Sequence, residues 1–254
     1  MKGYLFSHRR AFSGPTAAPW AFGVALVLAL AIASAGRANP PRLQSLIVQL
    51  GSDNPRLRQD ALGQLMDLKK QDLGALRAAA LAQSPLLPGQ IGALRQAVSQ
   101  VFLAAEKYRV DPEVPGGFIG LHWPAPLDPS AEGILVDERI PGFAAYRLLQ
   151  PGDVIVQILD CPAVPLHGNF NLVQVVQHMW PGQVLHLKLL RLGRPISVAL
   201  VLDFLPIELL NPANADGWIQ QRNQKAEDYW NREFSMLDSV SGVGSAQAST
   251  DARP

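Results

Sequence analysis

The positions of the histidine, cysteine and serine residues indicate whether this chain could carry catalytic or metal chemistry. Its five histidines are His8, His122, His167, His178 and His186. No two of them stand four residues apart beside a glutamate, and neither an H-E-x-x-H nor a G-x-S-x-G motif occurs. The single cysteine, Cys161, excludes an internal disulfide and a cysteine-based metal cluster, and it lies where a turn is predicted. We therefore expect no enzymatic activity, no metal site and no cofactor.

Charge and composition narrow the range of partners. The chain has 22 Lys and Arg against 21 Asp and Glu, a formal charge of +1, so no sign bias favours nucleic acid. With 254 residues, 48% of them hydrophobic, it can bury one large core or two modest ones. We expect no nucleic-acid partner.

The N-terminal residues 1–38 have the pattern of an export signal. Three basic residues precede an uncharged stretch at 17–35 whose centre reads VALVLALAI. Small residues at 33–35 offer a cleavage site. The alternative is an uncleaved membrane anchor, because the stretch approaches the roughly 20 residues that a helix needs to cross a bilayer. In both cases we expect the rest of the chain in the periplasm or another extracytoplasmic space, with membrane contact only through an uncleaved segment.

Residues 39–108 have the apolar spacing of helices. Apolar side chains recur every three or four residues in four stretches, with breaks at 51–55 and 84–89. The stretch 50–81 resembles a HEAT-type helical repeat, in which Asp-x-Pro-x-x-Arg opens a helix. Such repeats bury their apolar faces by stacking, and roughly three units are usually needed. Since this chain has at most two, we expect a small helical cap that docks on the following domain.

From residue 116 the apolar period changes to two, which favours β-strands. Two short helices are predicted between the strands, at 143–149 and 171–179, and a turn at 191–195 makes the last two strands a hairpin. The predicted strands are 118–123, 133–140, 153–159, 184–192 and 195–204.

Residues 114–206 resemble a PDZ domain of the bacterial HtrA-associated kind. The resemblance depends on features in a fixed order: a Pro141-Gly142 turn, a helix start at Ala144-Ala145, the turn Pro151-Gly152-Asp153, and Pro181-Gly182 before a terminal β-hairpin. It implies an α+β fold in which the small helical N-terminal domain is followed by a partly open β-barrel capped by two helices.

The resemblance also implies a function. In this family an extended peptide adds as a strand to an exposed sheet edge, beside a helix that selects its side chains. Residues 118–121 take the place of the family's carboxylate-binding loop, X-Φ-G-Φ, where glycine lets backbone N–H groups approach the anion. The implied peptide-binding residues are Ile119, Gly120, Leu121 and His122 on the strand, and Asn171, Val175 and His178 on the helix. Among these, Ile119, Leu121 and Val175 would line the pocket for the last peptide side chain.

Two prolines leave a second interpretation open. Pro124 and Pro126 follow Leu121 closely and cannot donate to a strand ladder, which shortens the edge available to a peptide. A peptide-binding module would take a peptide or a protein C-terminus, from a separate protease or an envelope complex. The alternative is a structural or assembly scaffold with a degenerate groove, in which the helices make the contacts.

The C-terminal part divides at residue 237. Residues 207–237 predict an amphipathic helix with two tryptophans, which packs either on the chain's own domains or on an external partner. If this helix fills the predicted groove, peptide capture is not expected. The tail 238–254 is small, polar and rich in Gly, Ser and Ala, so we expect it to be disordered.

Overall fold

The computed structural model describes residues 39–113, 116–123 and 132–239. The export segment predicted at the N-terminus, the two prolines after residue 123 and the tail beyond residue 239 lie outside this part of the chain. None of the helices within these three ranges is long and apolar enough to span a bilayer.

Helices dominate the first and last parts of the described chain. Proline opens four of them, at a position where its missing N–H would have had no helical partner. The α-helices are α1 (Pro40–Leu50), α2 (Pro55–Met66), α3 (Leu73–Ala82), α4 (Pro88–Ala104), α5 (Ala144–Leu148), α6 (Phe170–His178) and α7 (Pro212–Glu233). Short 3₁₀ turns lie at Lys70–Asp72 and Ile207–Leu210.

The strands form one four-stranded antiparallel sheet and two short antiparallel pairs. The sheet has the order β3-β5-β6-β7, while β1 pairs with β8 and β2 pairs with β4. The strands are β1 (Gly117–Phe118), β2 (Leu121–His122), β3 (Ile134–Leu135), β4 (Glu138–Arg139), β5 (Val154–Ile158), β6 (Val184–Arg191), β7 (Arg194–Val201) and β8 (Asp203–Phe204). The described chain is therefore of the predicted α+β class, with an open sheet.

Two of the predicted strands are interrupted. The strand predicted at 118–123 breaks between β1 and β2, because Gly120 has a φ of +85°, which a continuous strand does not allow. The strand predicted at 133–140 breaks between β3 and β4. There Val136 donates to the carbonyl of Asp153 and accepts from the N–H of Gly152, at 2.8 and 2.9 Å. In the sequence, the alternation of apolar residues continues across both breaks, so it does not reveal them.

Helix α7 completes the core of the helical part. Trp230 on α7 and Phe234 and Leu237 just after it are at most 1% exposed, and they share one hydrophobic cluster with Leu43 and Leu65 of the N-terminal helices. Residues 39–108 therefore do not bury their apolar faces alone. The aromatic face of α7 packs on the chain itself.

Asp238, the first residue of the tail predicted to be disordered, makes defined contacts with helices α4 and α7. The carboxylate of Asp238 accepts hydrogen bonds from Trp230 at 3.0 Å and from Arg95 at 3.1 Å. Composition alone does not reveal these two contacts, because both partners lie outside the tail.

The Pro-Gly-Asp turn before β5 is fixed by a buried ion pair. Asp153 is 1% exposed and accepts from the backbone N–H of Gln150 at 2.8 Å. Its two carboxylate oxygens also accept from Arg191, at 2.7 and 2.9 Å. A bidentate pair of this kind satisfies the buried carboxylate and joins the turn to the far end of β6.

Arg222 of α7 joins the helical part to the sheet-containing part. It is 5% exposed, and one amino group donates to the carbonyls of Leu103 and Pro141, at 3.2 and 3.3 Å. Its guanidinium lies over the rings of Trp218 and Phe143, 4.9 and 5.1 Å from their centroids. Aromatic faces attract a cation and lower the cost of burying it.

The Pro141-Gly142 turn leaves space for the guanidinium of Arg222. A Cβ at Gly142 would lie 2.6 Å from an amino nitrogen of Arg222, and Gly142 has a φ of +95°. Gln100 of α4 holds the turn from the same side: its side-chain oxygen accepts from Gly142 N–H at 2.7 Å, and its amide donates to the carbonyl of Phe143.

Replacing Arg222 with alanine is expected to lower the free energy of unfolding by about 2–4 kcal/mol, because two buried carbonyls lose a charged donor. Arg222→Lys should recover only part of this loss, since an ammonium lacks the planar group that covers the rings. Denaturant unfolding checks both. Arg232→Ala, at an exposed arginine of the same helix, is the control. An Arg222→Ala loss no larger than that of the control would contradict this role.

A second prediction concerns Asp203 of β8. Burial raises the pKa of this carboxyl to about 6, although the charge of Arg222 opposes the shift. Between about pH 4 and pH 6 the unfolded chain therefore loses this proton before the folded chain does, so stability falls as pH rises through that window. Asp203→Asn should be more stable than the natural chain at pH 7, by about 1–3 kcal/mol, and should show little difference at pH 4. A difference that does not change with pH would contradict the assignment.

Candidate functional site

A cavity of about 350 Å³ lies between the β1–β2 segment, helix α6 and the segment that leads into α7. Most of its lining is apolar, and its polar side chains come from His122, Gln177 and Asp216. Of the described residues that line it, none is a lysine or arginine. The residues that line it include Phe118, Ile119, Leu121, His122, Leu172, Val173, Val176, Gln177, Leu209, Ala215 and Asp216.

Within the described ranges, strand β2 pairs only with β4, so its other edge is unpaired there. Ile140 donates to the carbonyl of Gly120 at 2.8 Å, and Leu121 lies opposite Arg139 in the register. Hydrogen-bonded and non-hydrogen-bonded pairs alternate along antiparallel strands, so Leu121 occupies a non-hydrogen-bonded position. Its N–H and C=O therefore point away from β4, where a further strand could pair with them.

The loop before β2 has free backbone donors. The carbonyls of Ile119 and Gly120 accept from Ala145 and Ile140, each at 2.8 Å. In contrast, the N–H groups of Ile119 and Gly120 donate to no acceptor within the described ranges. Successive unpaired N–H groups beside a cavity can bind an anion.

Gly120 is required by its backbone conformation and by its surroundings. Its φ is +85°, and a Cβ there would lie 2.3 Å from Cβ of Phe143. The Phe143 ring also packs edge-on against Phe118, with their centroids 4.9 Å apart. The shape of the loop thus depends on Phe143, the same ring that lies under Arg222.

The predicted strand residues lie together in the structure. Ile119 and Leu121 are 4% and 6% exposed, belong to the core of the sheet, and line the cavity together with His122. Gly120 supplies the carbonyl and the turn between them.

The predicted helix residues do not line the cavity. Asn171 donates to the carbonyl of Pro165 at 2.7 Å, Val175 packs against the sheet core, and His178 Nδ1 lies 2.6 Å from the carbonyl of Gln174. The helix residues that do line the cavity are Leu172, Val173, Val176 and Gln177. The sequence predicts which stripe of α6 is apolar. It does not distinguish Leu172 and Val176, which belong to the sheet core and also line the cavity, from Val175, which packs on the core without lining the cavity.

A contact between distant parts of the chain lies at the cavity rim. Nε2 of His122 is 3.0 Å from a carboxylate oxygen of Asp216 in the second turn of α7, and 3.9 Å from one of Glu138. The His122 side chain is 16% exposed, whereas that of Asp216 is 80% exposed. Sequence reasoning missed Asp216, because 94 residues separate it from His122 and no motif connects them.

The cavity wall is mainly apolar. The cavity has no serine, threonine or cysteine among the described residues that line it. In the same ranges, no group of three or more His, Cys, Asp or Glu is placed to hold a metal ion. What remains is an apolar space with free N–H groups and an unpaired strand edge beside it.

Comparison with models of known protein families found no match, and comparison with curated proteins found no similar sequence.

Exchanging Gly120 for alanine tests the close approach of this loop to Phe143. Gly152→Ala is the matched control, because Gly152 has a similar φ of +88° but would place its Cβ in open space. Both changes should cost about 1–2 kcal/mol of unfolding free energy for the unfavourable φ. Gly120→Ala should cost about 1–3 kcal/mol more, because of overpacking. Thermal or denaturant unfolding measures the difference, and equal losses would contradict the packing described.

Proposed function

We propose that this chain is an exported, non-catalytic module of PDZ-like architecture that binds a peptide or a protein C-terminus by β-strand addition. The peptide would pair with the outer edge of β2 and place its last side chain in the cavity between that edge and α6. Its terminal carboxylate would accept from the N–H groups of Ile119 and Gly120. The protein that carries such a C-terminus would be a separate protease, or a client or component of an envelope complex.

One observation carries this proposal: unpaired backbone donors stand next to an apolar cavity. The N–H groups of Ile119, Gly120 and Leu121 follow one another in the chain, and Ile119 and Leu121 both line the cavity. Buried or half-buried backbone donors are usually satisfied within the protein, so a run of unsatisfied ones favours an external acceptor. An extended peptide that ends in an apolar residue and a carboxylate has a partner for each part of the site. Its backbone would pair with the strand edge, its last side chain would fill the apolar cavity, and its carboxylate would accept from the N–H groups.

The scaffold alternative is less well supported by the packing of the helices. In that interpretation α7 or the HEAT-like helices would offer an apolar face to a partner. However, Trp230 and Phe234 are at most 1% exposed, inside the core that α7 shares with α1 to α4. The space between β2 and α6, in contrast, is not filled by α7, which contributes only Ala215 and Asp216 to its lining.

Binding of hexapeptides to the full chain tests the proposal. The peptides end in Leu, Val or Phe and are prepared with either a free or an amidated C-terminus. We expect the free-carboxylate form to bind at least about tenfold more tightly, since hydrogen bonds to a charged group contribute about 1.5–3 kcal/mol. Calorimetry or fluorescence anisotropy measures the difference.

A pair of substitutions on α6 locates the binding site. Gln177→Trp fills the cavity that Gln177 lines and should weaken peptide binding at least about tenfold. Gln174→Trp is the control, because Gln174 lies on the same helix, is also half-buried and does not line the cavity. Equal affinity for free and amidated peptides, together with equal effects of the two tryptophans, would overturn the proposal.

A further inference from the structure

We infer that residues 208–216, here called the strap, gate the proposed peptide site: they partly close the cavity and must move outward before an extended peptide can pair with β2. The inference concerns regulation of the proposed binding site and therefore rests on the proposed function. The strap contributes Leu209, Ala215 and Asp216 to the cavity wall opposite α6.

The available volume is the first argument. The cavity holds about 350 Å³, at the lower end of the roughly 300–1,000 Å³ that pockets for single small ligands occupy. This is room for one large apolar side chain and a carboxylate. Strand addition needs several peptide residues along β2, and Ala215 and Asp216 line the same space as Leu121 and His122. With the strap in its observed position, the site accepts the end of a peptide but not the strand behind it.

The 3₁₀ turn in the first half of the strap is held weakly, which is the second argument, whereas Ala215 near its other end is buried. None of the residues in its 3₁₀ turn is buried, and Leu210 is 62% exposed. One carboxylate oxygen of Glu208 is buried and has no hydrogen-bond partner among the described residues, which penalises the closed position. Segments with few buried contacts open more readily than the core around them.

Both ends of the strap are anchored, so only its middle can move. Just before it, Ile207 donates to the carbonyl of Arg109 at 3.0 Å, and Leu205 donates to that of Gly116 at 2.8 Å. Just after it, Ile219 and Arg222 are each 5% exposed. Opening would therefore displace the 3₁₀ turn and unwind the start of α7 as far as Asp216, while the rest of the helix stays in its core.

The contact between His122 and Asp216 connects the strap to the strand that receives the peptide. It joins a mostly buried ring to an 80% exposed carboxylate at 3.0 Å, and Glu138 faces the same ring at 3.9 Å. Exposed pairs contribute little to stability, so this contact can hold the strap and still break when a ligand competes for the space. Because the strap and the receiving strand meet here, weakening this contact should favour the open position.

Two substitutions in the full chain test the gate in opposite directions, and a third is the control. Asp216→Asn removes the charge from the contact and should open the strap. Glu208→Met removes the unpaired oxygen and should close it more firmly. Asp228→Asn is the control, because Asp228 is an exposed carboxylate of the same helix that contacts only Gln224 in the described chain.

Two measurements are made on each variant: hydrogen exchange of the strap amides, and affinity for the free-carboxylate hexapeptides. Relative to the natural chain, Asp216→Asn should raise both strap exchange and affinity about two- to fivefold. Glu208→Met should lower both by at least about twofold, and Asp228→Asn should change neither.

The outcomes separate the gate from the proposed function. If the natural chain binds the peptides and Asp216→Asn binds them equally or more weakly, the gate is overturned and the proposed function stands. The same holds if strap exchange is unchanged in Asp216→Asn. If neither the natural chain nor any variant binds the peptides, the proposed function is overturned, and the gate with it.

Discussion

The buried guanidinium of Arg222 is the contact on which the arrangement of this protein most depends. It donates to one carbonyl in the last turn of α4, that of Leu103, and to the carbonyl of Pro141, and it covers the ring of Phe143. Phe143 in turn lies so close to Gly120 that no side chain fits there. The loop that offers free N–H groups to a ligand is thus shaped from behind by a cation on the C-terminal helix. The sequence leaves open whether α7 packs on the chain itself or on an external partner. In the structure it supports the site.

Much of this fold could be predicted from the sequence, because local signals and the final packing agree in most elements. The helical stretches of 39–108, the hairpin of β6 and β7, and the short helix α6 all appear close to their predicted bounds. The alternating pattern of β6, with Leu185, Leu187 and Leu189 fully buried, shows why: one face of the strand meets the core and the other meets solvent. Where the local pattern and the burial agree in this way, the spacing of apolar residues is sufficient to predict the element.

The site was less predictable because it depends on contacts that local pattern does not encode. An apolar stripe on α6 does not say which of its residues line the cavity: the sequence favours Val175, whereas in the structure Val176 lines the wall and Val175 packs on the sheet core. The break at Gly120 follows from a positive φ that alternation conceals. The pairing of His122 with Asp216 arises only when α7 returns across the chain to the strand edge. Each of these facts belongs to tertiary structure.

The central claim is that the free N–H groups of the loop before β2 bind a terminal carboxylate, and backbone amide NMR tests it most directly. On titration with a hexapeptide that ends in a free apolar residue, the account predicts the largest shift changes at the amides of Ile119, Gly120 and Leu121. It also predicts that the amidated peptide leaves the first two amides nearly unchanged. Shift changes concentrated on the helices α1 to α4, with these three amides unaffected by the free-carboxylate peptide, would contradict it.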